Sequence, residues 1–191
     1  MSDAENNPDK IINQIAEPEQ AFKGRVPPGF DQWNPPLSGD MDLIIKSNGV
    51  WLHEGDPIRR EPLVRLFSTI LRRENDGSYY LVTPVEKWRI KVEKAPFLVV
   101  DFQCSVEGDI QCIKLKTNIG EWFIADKEHP LIVGIDPSTQ EPMPIIRVRD
   151  QLDGLLTRAV FYHLTELAEE GVVNGQTCYG IWSCGEFFRL E

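Results

Sequence analysis

The sequence lacks the short motifs that mark the most common classes of enzyme. It contains no GxSxG nucleophile turn, no GxxxxGK[ST] phosphate-binding loop and no GxGxxG dinucleotide fingerprint. Each absence removes a direct indication of hydrolase, nucleoside-triphosphatase or nicotinamide-dependent chemistry. The sequence therefore leans away from an enzyme without excluding one, and the cofactor, if any, is unknown.

Long apolar runs and an export signal are also missing. No stretch approaches the roughly 18 consecutive apolar residues of a membrane helix. The first residues, MSDAENNPDKIINQIAEPEQ, are acidic and contain no apolar core. The chain has 191 residues, of which 41% are hydrophobic and 26% are charged, as in ordinary globular proteins. We expect a soluble cytoplasmic protein of one large domain or two small ones.

Cysteine is scarce, and the four cysteines, at positions 104, 112, 178 and 184, form no CxxC pair. Without HExxH or zinc-type spacing, the sequence predicts no metal site. Cys104 and Cys112 are equally distant from Gly108, so a three-residue hairpin loop would place them opposite each other. In the absence of an export signal, reduced and buried thiols are the favoured interpretation.

Two of the three histidines have acidic neighbours that are suited to acid–base chemistry. His53 precedes Glu54, and His129 follows Asp126 and Glu128. An imidazole beside a carboxylate can act as a general acid or base. These pairs support an alternative hypothesis, a hydrolase-type enzyme that uses His53 with Glu54, or His129.

The net charge of −10 hides one basic stretch. An acidic chain with a pI near 4.8 is unsuited to general binding of nucleic acids or anionic membranes. Between Arg59 and Lys94, however, nine basic residues face five acidic ones, a local net charge of +4. Such a stretch is typical of a solvated helix face, and it also fits a focused site for a small anion.

Proline and glycine divide the chain into an arm and two modules. Residues 1–40 form a proline-rich arm, with a short helix possible around Lys10 to Ala16 and with Phe22, Phe30 and Trp33 as anchors. Residues 41–93 form an N-terminal α+β module, in which a turn at Asn48-Gly49 precedes a strand, a helix and a hairpin. Residues 94–191 form the C-terminal module.

The C-terminal module is predicted to be a β-meander closed by a helix. Five short strands lie between Pro96 and Val148, one of them from Leu131 to Ile135. A 3.6-residue apolar period then runs from Leu152 to Leu167, and His163 on its apolar face is expected to lie in the core. A hairpin that turns near Cys184-Gly185 is expected over Thr177 to Leu190. The fold class is therefore α+β, with the C-terminal module a curled antiparallel sheet capped by a helix.

A weak internal sequence repeat indicates duplication of a strand-helix-strand core. The opening of Gly49-Val50-Trp51-Leu52 resembles that of Gly120-Glu121-Trp122-Phe123, and Gly180-Ile181-Trp182 repeats it. Two related modules that pack face to face would create a cleft between them.

Several phrases in a fixed order resemble a known family. They are DGSYYLVTPVEKWRIKVEKAPFLVVDF, LKTN, EHPLIV, IIRVRDQL and LLTRAVFYHL, and together they are similar to the bacterial domain of unknown function 1285 family over about residues 40 to 190. The resemblance implies a duplicated α+β core whose second module is pleckstrin-homology-like. It also implies a ligand site at the module interface, a nucleotide-like ligand and a signalling role.

The same phrases supply nine candidate ligand-binding residues and no catalytic ones. They are Thr83, Glu86 and Lys87 in TPVEK, Asn118 in LKTN, His129 in EHPL, Arg147 and Arg149 in the VR phrase, and Arg158 and Tyr162 in RAVFY.

These residues lead to two hypotheses of function. The first is a non-catalytic sensor or adaptor that binds a small anionic, possibly nucleotide-like, ligand at the inter-module cleft in a signalling pathway. Basic side chains would supply charge there, and Trp51, Trp88 or Tyr162 would offer stacking faces. The second is a protein–protein interaction module that uses strand edges and the arm, without a small ligand.

Overall fold

The computed structural model describes residues 26–108, 110–173 and 175–191. The chain divides into two compact units, residues 1–93 and residues 94–191. The predicted helix at Lys10 to Ala16 and the anchor at Phe22 lie outside the described residues. No helix within the described ranges has the length and apolar character needed to cross a membrane.

The described part of the first unit contains six strands and one α-helix. A 3-10 turn at Phe30–Gln32 precedes the sheet. The strands are β1 (Leu37–Ile45), β2 (Trp51–His53), β3 (Asp56–Pro57), β4 (Leu71–Arg73), β5 (Tyr79–Val82) and β6 (Lys87–Val92), and helix α1 (Glu61–Thr69) lies between β3 and β4. The strand order in the sheet is β3-β2-β1-β6-β5-β4.

The core of the first unit forms where β2 and α1 bury aromatic side chains. Trp51 and Phe67 are at most 2% exposed, and their rings stack with centroids 6.3 Å apart. The predicted anchor Phe30 is also buried. Arg72 donates hydrogen bonds to the carbonyl oxygens of Phe30 and Trp33, and its guanidinium lies over the Phe30 ring. This part of the arm is therefore held by one arginine.

The second unit contains a second six-stranded sheet, one helix and a small third sheet. Its strands are β7 (Phe97–Glu107), β8 (Ile110–Thr117), β9 (Trp122–Ile124), β10 (Leu131–Ile135), β11 (Pro142–Arg149) and β12 (Leu152–Leu156), followed by α2 (Arg158–Glu166), β13 (Glu169–Val173), β14 (Gln176–Ser183) and β15 (Glu186–Arg189). The orders are β10-β11-β12-β7-β8-β9 and β13-β14-β15.

The two large sheets share one topology, so the predicted duplication is confirmed at the level of the sheet. In each, the first strand runs parallel to the sixth at the centre, and the other strands extend outward in order on either side. The repeated element is thus a curled sheet of six strands and not a strand-helix-strand core, because α1 follows the third strand and α2 follows the sixth. The sequence repeat matches Trp51, in the second strand of the first sheet, to Trp122, in the third strand of the second sheet. It therefore does not align equivalent strands.

The predicted long helix from Leu152 to Leu167 is wrong in its first half. Leu152 and Leu156 are separated by four residues, a spacing that fits both a helix and one face of a strand. The chain forms β12 there because it pairs with β11 on one side and with β7 on the other. A side chain at Gly154 would lie 3.0 Å from Val148 and 3.3 Å from Val99, which explains the glycine in this central strand. Sheet pairing overrides the helical period.

Three further predictions about the second unit are wrong. His163 is exposed instead of buried, because α2 is short and turns its apolar face elsewhere. The cysteines are not all reduced, because Cys112 forms a disulfide with Cys184, while Cys104 and Cys178 are free. Cys104 pairs with Ile113 and not with Cys112, because the β7–β8 loop is one residue shorter than predicted.

In the third sheet, one aromatic ring covers two glycines. The sheet contains the predicted hairpin, which turns at Cys184 and Gly185. A Cβ atom added to Gly171 would lie 2.4 Å from the Phe187 ring. One added to Gly180 would lie 2.5 Å from the same ring and 2.4 Å from the backbone oxygen of Phe188. Glycine at both positions therefore lets the ring lie flat on the sheet.

Each unit also contains a turn built on a buried threonine. The Thr83 hydroxyl accepts a hydrogen bond from the Glu86 N–H at 3.0 Å, and the Thr83 N–H donates to the Glu86 carbonyl. The Thr117 hydroxyl accepts from the Glu121 N–H at 3.0 Å in the same way. Both threonines are at most 1% exposed. Each hydroxyl thus satisfies a backbone group of its turn.

We predict that alanine is tolerated at Gly134 and not at Gly171 or Gly180. Gly171→Ala and Gly180→Ala should each cost about 1–3 kcal/mol in the free energy of unfolding because of overpacking. Gly134→Ala, whose new methyl would make an ordinary 3.9 Å contact, is the matched control. A second change, Phe187→Leu, should rescue Gly171→Ala more than Gly180→Ala, since the Phe188 carbonyl remains in place. Equal rescue of both, measured by urea denaturation, would contradict the packing described.

We also predict that the two threonine turns contribute equally to stability. Thr83→Val and Thr117→Val keep the side-chain shape but remove the acceptor for a backbone N–H. Each should lower the free energy of unfolding by about 1–3 kcal/mol. Thr139→Val, at an exposed position, is the control and should change it by less than about 0.5 kcal/mol. Thermal denaturation that shows no difference between the buried and exposed variants would refute this role.

Candidate functional site

The nine candidate residues fall into four groups of contacts. Thr83, Glu86 and Lys87 lie in the first unit, and the other six lie in the second.

The Lys87 ammonium is already neutralised within the first unit. It lies 3.1 Å from both carboxylate oxygens of Glu74 and 5.1 Å from the centre of the Tyr80 ring. Its side chain is only 14% exposed. Glu86 accepts a hydrogen bond from the indole of Trp88 at 3.2 Å. Together with the Thr83 turn, these contacts hold the corner between β5 and β6 and leave no free cation in the TPVEK segment.

Arg149 is similarly engaged in the second unit. Its guanidinium donates to Glu121 at 3.0 Å and lies 5.1 Å from the Phe97 ring centre, with a side chain 14% exposed. Burial lowers the pKa of Arg149, while Glu121 acts in the opposite direction. Asn118 exchanges two hydrogen bonds with the backbone of Leu98. Both residues therefore support the start of β7.

His129 and Arg147 form a third group. The Nδ1 atom of His129 lies 3.1 Å from the carbonyl oxygen of Arg147, an arrangement in which the ring nitrogen donates and Nε2 is left to accept. Arg147 donates to Asp153 at 2.6 Å and to the carbonyl oxygen of Asp150. The carboxylate of Asp126 accepts backbone N–H groups, including that of His129 itself. No contact in this group orients an acid toward the imidazole.

The other histidine considered for catalysis has a different environment. The Nε2 atom of His53 is buried and, within the described residues, has no hydrogen-bond partner. Glu54 follows in a left-handed turn conformation with φ of 51°. The described chain groups no three His, Cys, Asp or Glu side chains in a way that could hold a metal ion.

Arg158 differs from the other candidate cations because it is exposed. Its guanidinium donates to Glu141 at 2.5 Å, and the two side chains are 73% and 54% exposed. This hydrogen bond raises the pKa of Arg158 above its ordinary value. Tyr162, one helical turn later, is 61% exposed. Exposed ion pairs of this kind contribute little to stability, so Glu141 can be exchanged for another anion at low cost.

Arg158 also borders a pocket of about 160 Å³ in the second unit. Charged groups from three segments line it together with an apolar surface, and its lining residues are Lys94, Asp136, Thr139, Glu141, Pro142, Met143, Pro144, Leu155, Leu156, Arg158 and Phe161. The pocket lies at the start of α2, whose N-terminal end carries a partial positive charge.

Lys94 and Asp136 fix one wall of this pocket. The Lys94 ammonium pairs with one carboxylate oxygen of Asp136, and the other oxygen accepts from the N–H and hydroxyl of Ser138. These hydrogen bonds hold the pKa of Asp136 well below its usual range. The carboxylate is therefore ionised at all ordinary pH values and keeps the β10–β11 connection in place.

Sequence reasoning missed Lys94, Asp136 and Glu141. Lys94 belongs to the basic stretch, but nothing in the sequence pairs it with an acid 42 positions later. Glu141 lies in a proline-rich connection that the sequence predicts only as a loop. Of the nine candidates, the pocket includes Arg158 alone.

Comparison with known families and structures agrees with the resemblance seen in the sequence. Residues 27–95 match the family model described as the N-terminal domain of DUF1285, a domain of unknown function. Residues 96–190 match the model of the DUF1285 C-terminal domain, from a protein of unknown function. No curated protein matches the chain.

Two crystal structures of DUF1285 family proteins are similar to this chain. The protein from Silicibacter pomeroyi DSS-3 is 39% identical, with a TM-score of 0.80, and the match covers 92% of this chain and 93% of that one. The protein from Shewanella baltica OS155 is 27% identical, with a TM-score of 0.52, and the match covers 66% and 91%. With both family models and a relative of this identity matched over nearly its whole length, the chain belongs to the DUF1285 family.

Proposed function

We propose that this protein is a non-catalytic sensor or adaptor that binds a small anionic ligand through the pocket of the second unit that Arg158 borders. The observation that carries the proposal is the exposed Arg158 guanidinium in the lining of a pocket that also contains apolar side chains such as Met143 and Phe161. Lys87, Arg147 and Arg149 each have a carboxylate partner that is at most 32% exposed. Removing such a partner from a largely buried cation such as Arg149 costs about 3 kcal/mol or more.

The pocket dimensions limit the ligand. A volume of about 160 Å³ is below the 300–1,000 Å³ typical of sites for larger metabolites. It accommodates a phosphate or carboxylate group with a few attached atoms. A nucleotide-like ligand would place its phosphate beside Arg158 and extend its base outside the pocket, where the exposed Tyr162 offers a stacking face.

A signalling role follows from the way in which the ligand would compete with Glu141. An anion that takes over Arg158 releases Glu141, which belongs to the connection between β10 and β11. Binding would then be reported as a change in that connection, which a protein partner could detect. We include in the proposal a pleckstrin-homology-like character for the second unit, supported by a curled sheet followed by α2, and a cytoplasmic location.

A protein–protein interaction module without a small ligand is the second candidate function. It is favoured by β10, which is an edge strand of its sheet and contains no charged residue. Ile132 and Ile135 on this strand are 65% and 59% exposed. Edge strands with exposed apolar side chains are sites at which another chain can bind. Binding of a protein partner that is lost in Ile132→Lys and kept in Arg158→Ala would favour this candidate.

The first prediction for the ligand concerns Arg158. In a thermal-shift screen of phosphate, nucleotides and phosphorylated metabolites, a ligand at a hundred times its dissociation constant should stabilise the protein by about 2.7 kcal/mol. Arg158→Ala should abolish this stabilisation. Arg65→Ala is the matched control, because Arg65 also makes an exposed ion pair, with Glu61, outside the pocket. The absence of any shift, or an equal loss in both variants, would refute the proposed site.

The second prediction concerns Glu141, whose carboxylate competes with the ligand for Arg158. Here the variant should bind the ligand more tightly than the wild type. Glu141→Gln keeps the side-chain shape and removes the charge that an incoming anion must displace. Titration calorimetry should show tighter binding of the same ligand, by up to about fivefold. Glu61→Gln, the equivalent change at the control pair, should leave the affinity unchanged. Weaker binding in Glu141→Gln would mean that Glu141 contacts the ligand directly and does not compete with it.

A further inference from the structure

The turn between β14 and β15 covers backbone groups at the edge of β8. The N–H of Ile113 donates to the Ser183 hydroxyl at 2.9 Å, and that hydroxyl donates to the Ala125 carbonyl at 2.6 Å. The N–H of Cys184 donates to the Gln111 carbonyl at 2.7 Å. Ser183 is fully buried. The third sheet is therefore attached to β8 through one short turn.

The disulfide between Cys112 and Cys184 crosses this same junction. It joins β8 to the turn with a Cα–Cα distance of 4.7 Å and connects positions 72 residues apart. Both cysteines are partly exposed. A pocket of about 260 Å³ is lined by Gln111, the residue before Cys112, and by Trp182 and Gly185 at the turn. The partial exposure of the two cysteines makes the bond accessible to a reductant in solution.

We propose that the Cys112–Cys184 disulfide is a reducible lock that controls how tightly the third sheet is held on the edge of β8. In the oxidised state the turn stays in place and the backbone groups of β8 are covered. In the reduced state the turn opens locally, which widens the neighbouring pocket and exposes the Ile113 N–H and the Gln111 carbonyl.

A dithiol can reduce the bond in two exchange steps. One thiolate of the dithiol attacks one sulfur of the bond, and the other cysteine leaves as a thiolate that takes up a proton. The second thiol of the reductant then attacks the mixed disulfide and releases the remaining cysteine. Two electrons and two protons pass to the protein, which gains two thiols, while the dithiol becomes a cyclic disulfide.

The remaining contacts explain why opening is local. Two hydrogen bonds still connect the turn to the rest of the unit after local opening, one from the Gln111 side chain to the Trp182 carbonyl and one from the Ser183 hydroxyl to the Ala125 carbonyl. The other two cysteines, the exposed Cys104 and the buried Cys178, are free. The loss of a covalent link between positions 72 residues apart shifts the equilibrium of the turn from closed to open without unfolding the rest of the unit.

The test is hydrogen exchange of the full chain with and without dithiothreitol. Non-reducing peptide mapping should first show Cys112 linked to Cys184 in protein that has been equilibrated with oxidised glutathione. Reduction should then accelerate amide exchange of Ile113 and Cys184 at least about tenfold, while β1 to β6 keep their protection. The Cys112→Ser/Cys184→Ser double variant should show the fast exchange regardless of reductant, and Cys104→Ser should behave like the wild type.

Several results would overturn the proposal. Alkylation of all four thiols in the oxidised sample, or a link between other cysteines, would show that the lock does not form. Unchanged exchange after confirmed reduction would show that the bond does not hold the turn. Unfolding of the whole unit on reduction would show a general structural role instead of a local one. If the double variant fails to fold, the reduced wild type decides among these results.

Discussion

The parallel pairing of the first and last strands is the constraint on which both units depend. β1 pairs with β6, and β7 pairs with β12, at the centre of their sheets. A parallel pair requires the chain to leave and return, so everything between the two strands must be placed outward or above the sheet. The helices, the meanders and the turns that carry Thr83 and Thr117 are all arranged around this pair. The restriction at Gly154 arises from the same central position.

Electrostatics follows a simple pattern in this acidic chain, because most cations with a structural role have a carboxylate partner. Lys87 and Arg149 are largely buried and fixed, with aromatic rings beneath the charges. Arg158 is paired as well, but in solvent. The distinction between a structural and a binding cation therefore lies in the exposure of the pair and not in the residue type. Exposure is a property of the fold, which explains why charge alone selects too many candidates.

Local sequence signals predict most of the strands and the family of this chain. The strand Leu131–Ile135 has the predicted bounds, and the hairpin after Thr177 turns at the predicted glycine. These elements are defined by alternation and by turn residues, which act over a few positions. The segment after Leu152 is predicted wrongly because its apolar spacing fits two periods, and pairing with a strand more than fifty residues earlier decides between them.

The candidate site is less predictable for the same reason. The sequence indicates Arg158 through its family phrase, but the pocket also needs Lys94, Asp136 and Glu141, which come from separate segments. The disulfide is likewise invisible, because the distance between Cys112 and Cys184 is set by the docking of one sheet on another. Contacts between distant segments carry no periodic signal, so sequence patterns specify elements better than they specify sites.

The central strand pair also has a consequence for biosynthesis. In the folded second unit, the β7 side chains Phe97 and Val99 are fully buried. During translation, however, the partner strand β12 is the last strand of the sheet to leave the ribosome. The inner edge of β7 must wait, unpaired and apolar, until the other strands of its sheet have been made. A nascent chain that stalls before Leu152 would present this edge to solvent, and such a fragment is a natural substrate for chaperones that bind extended apolar segments.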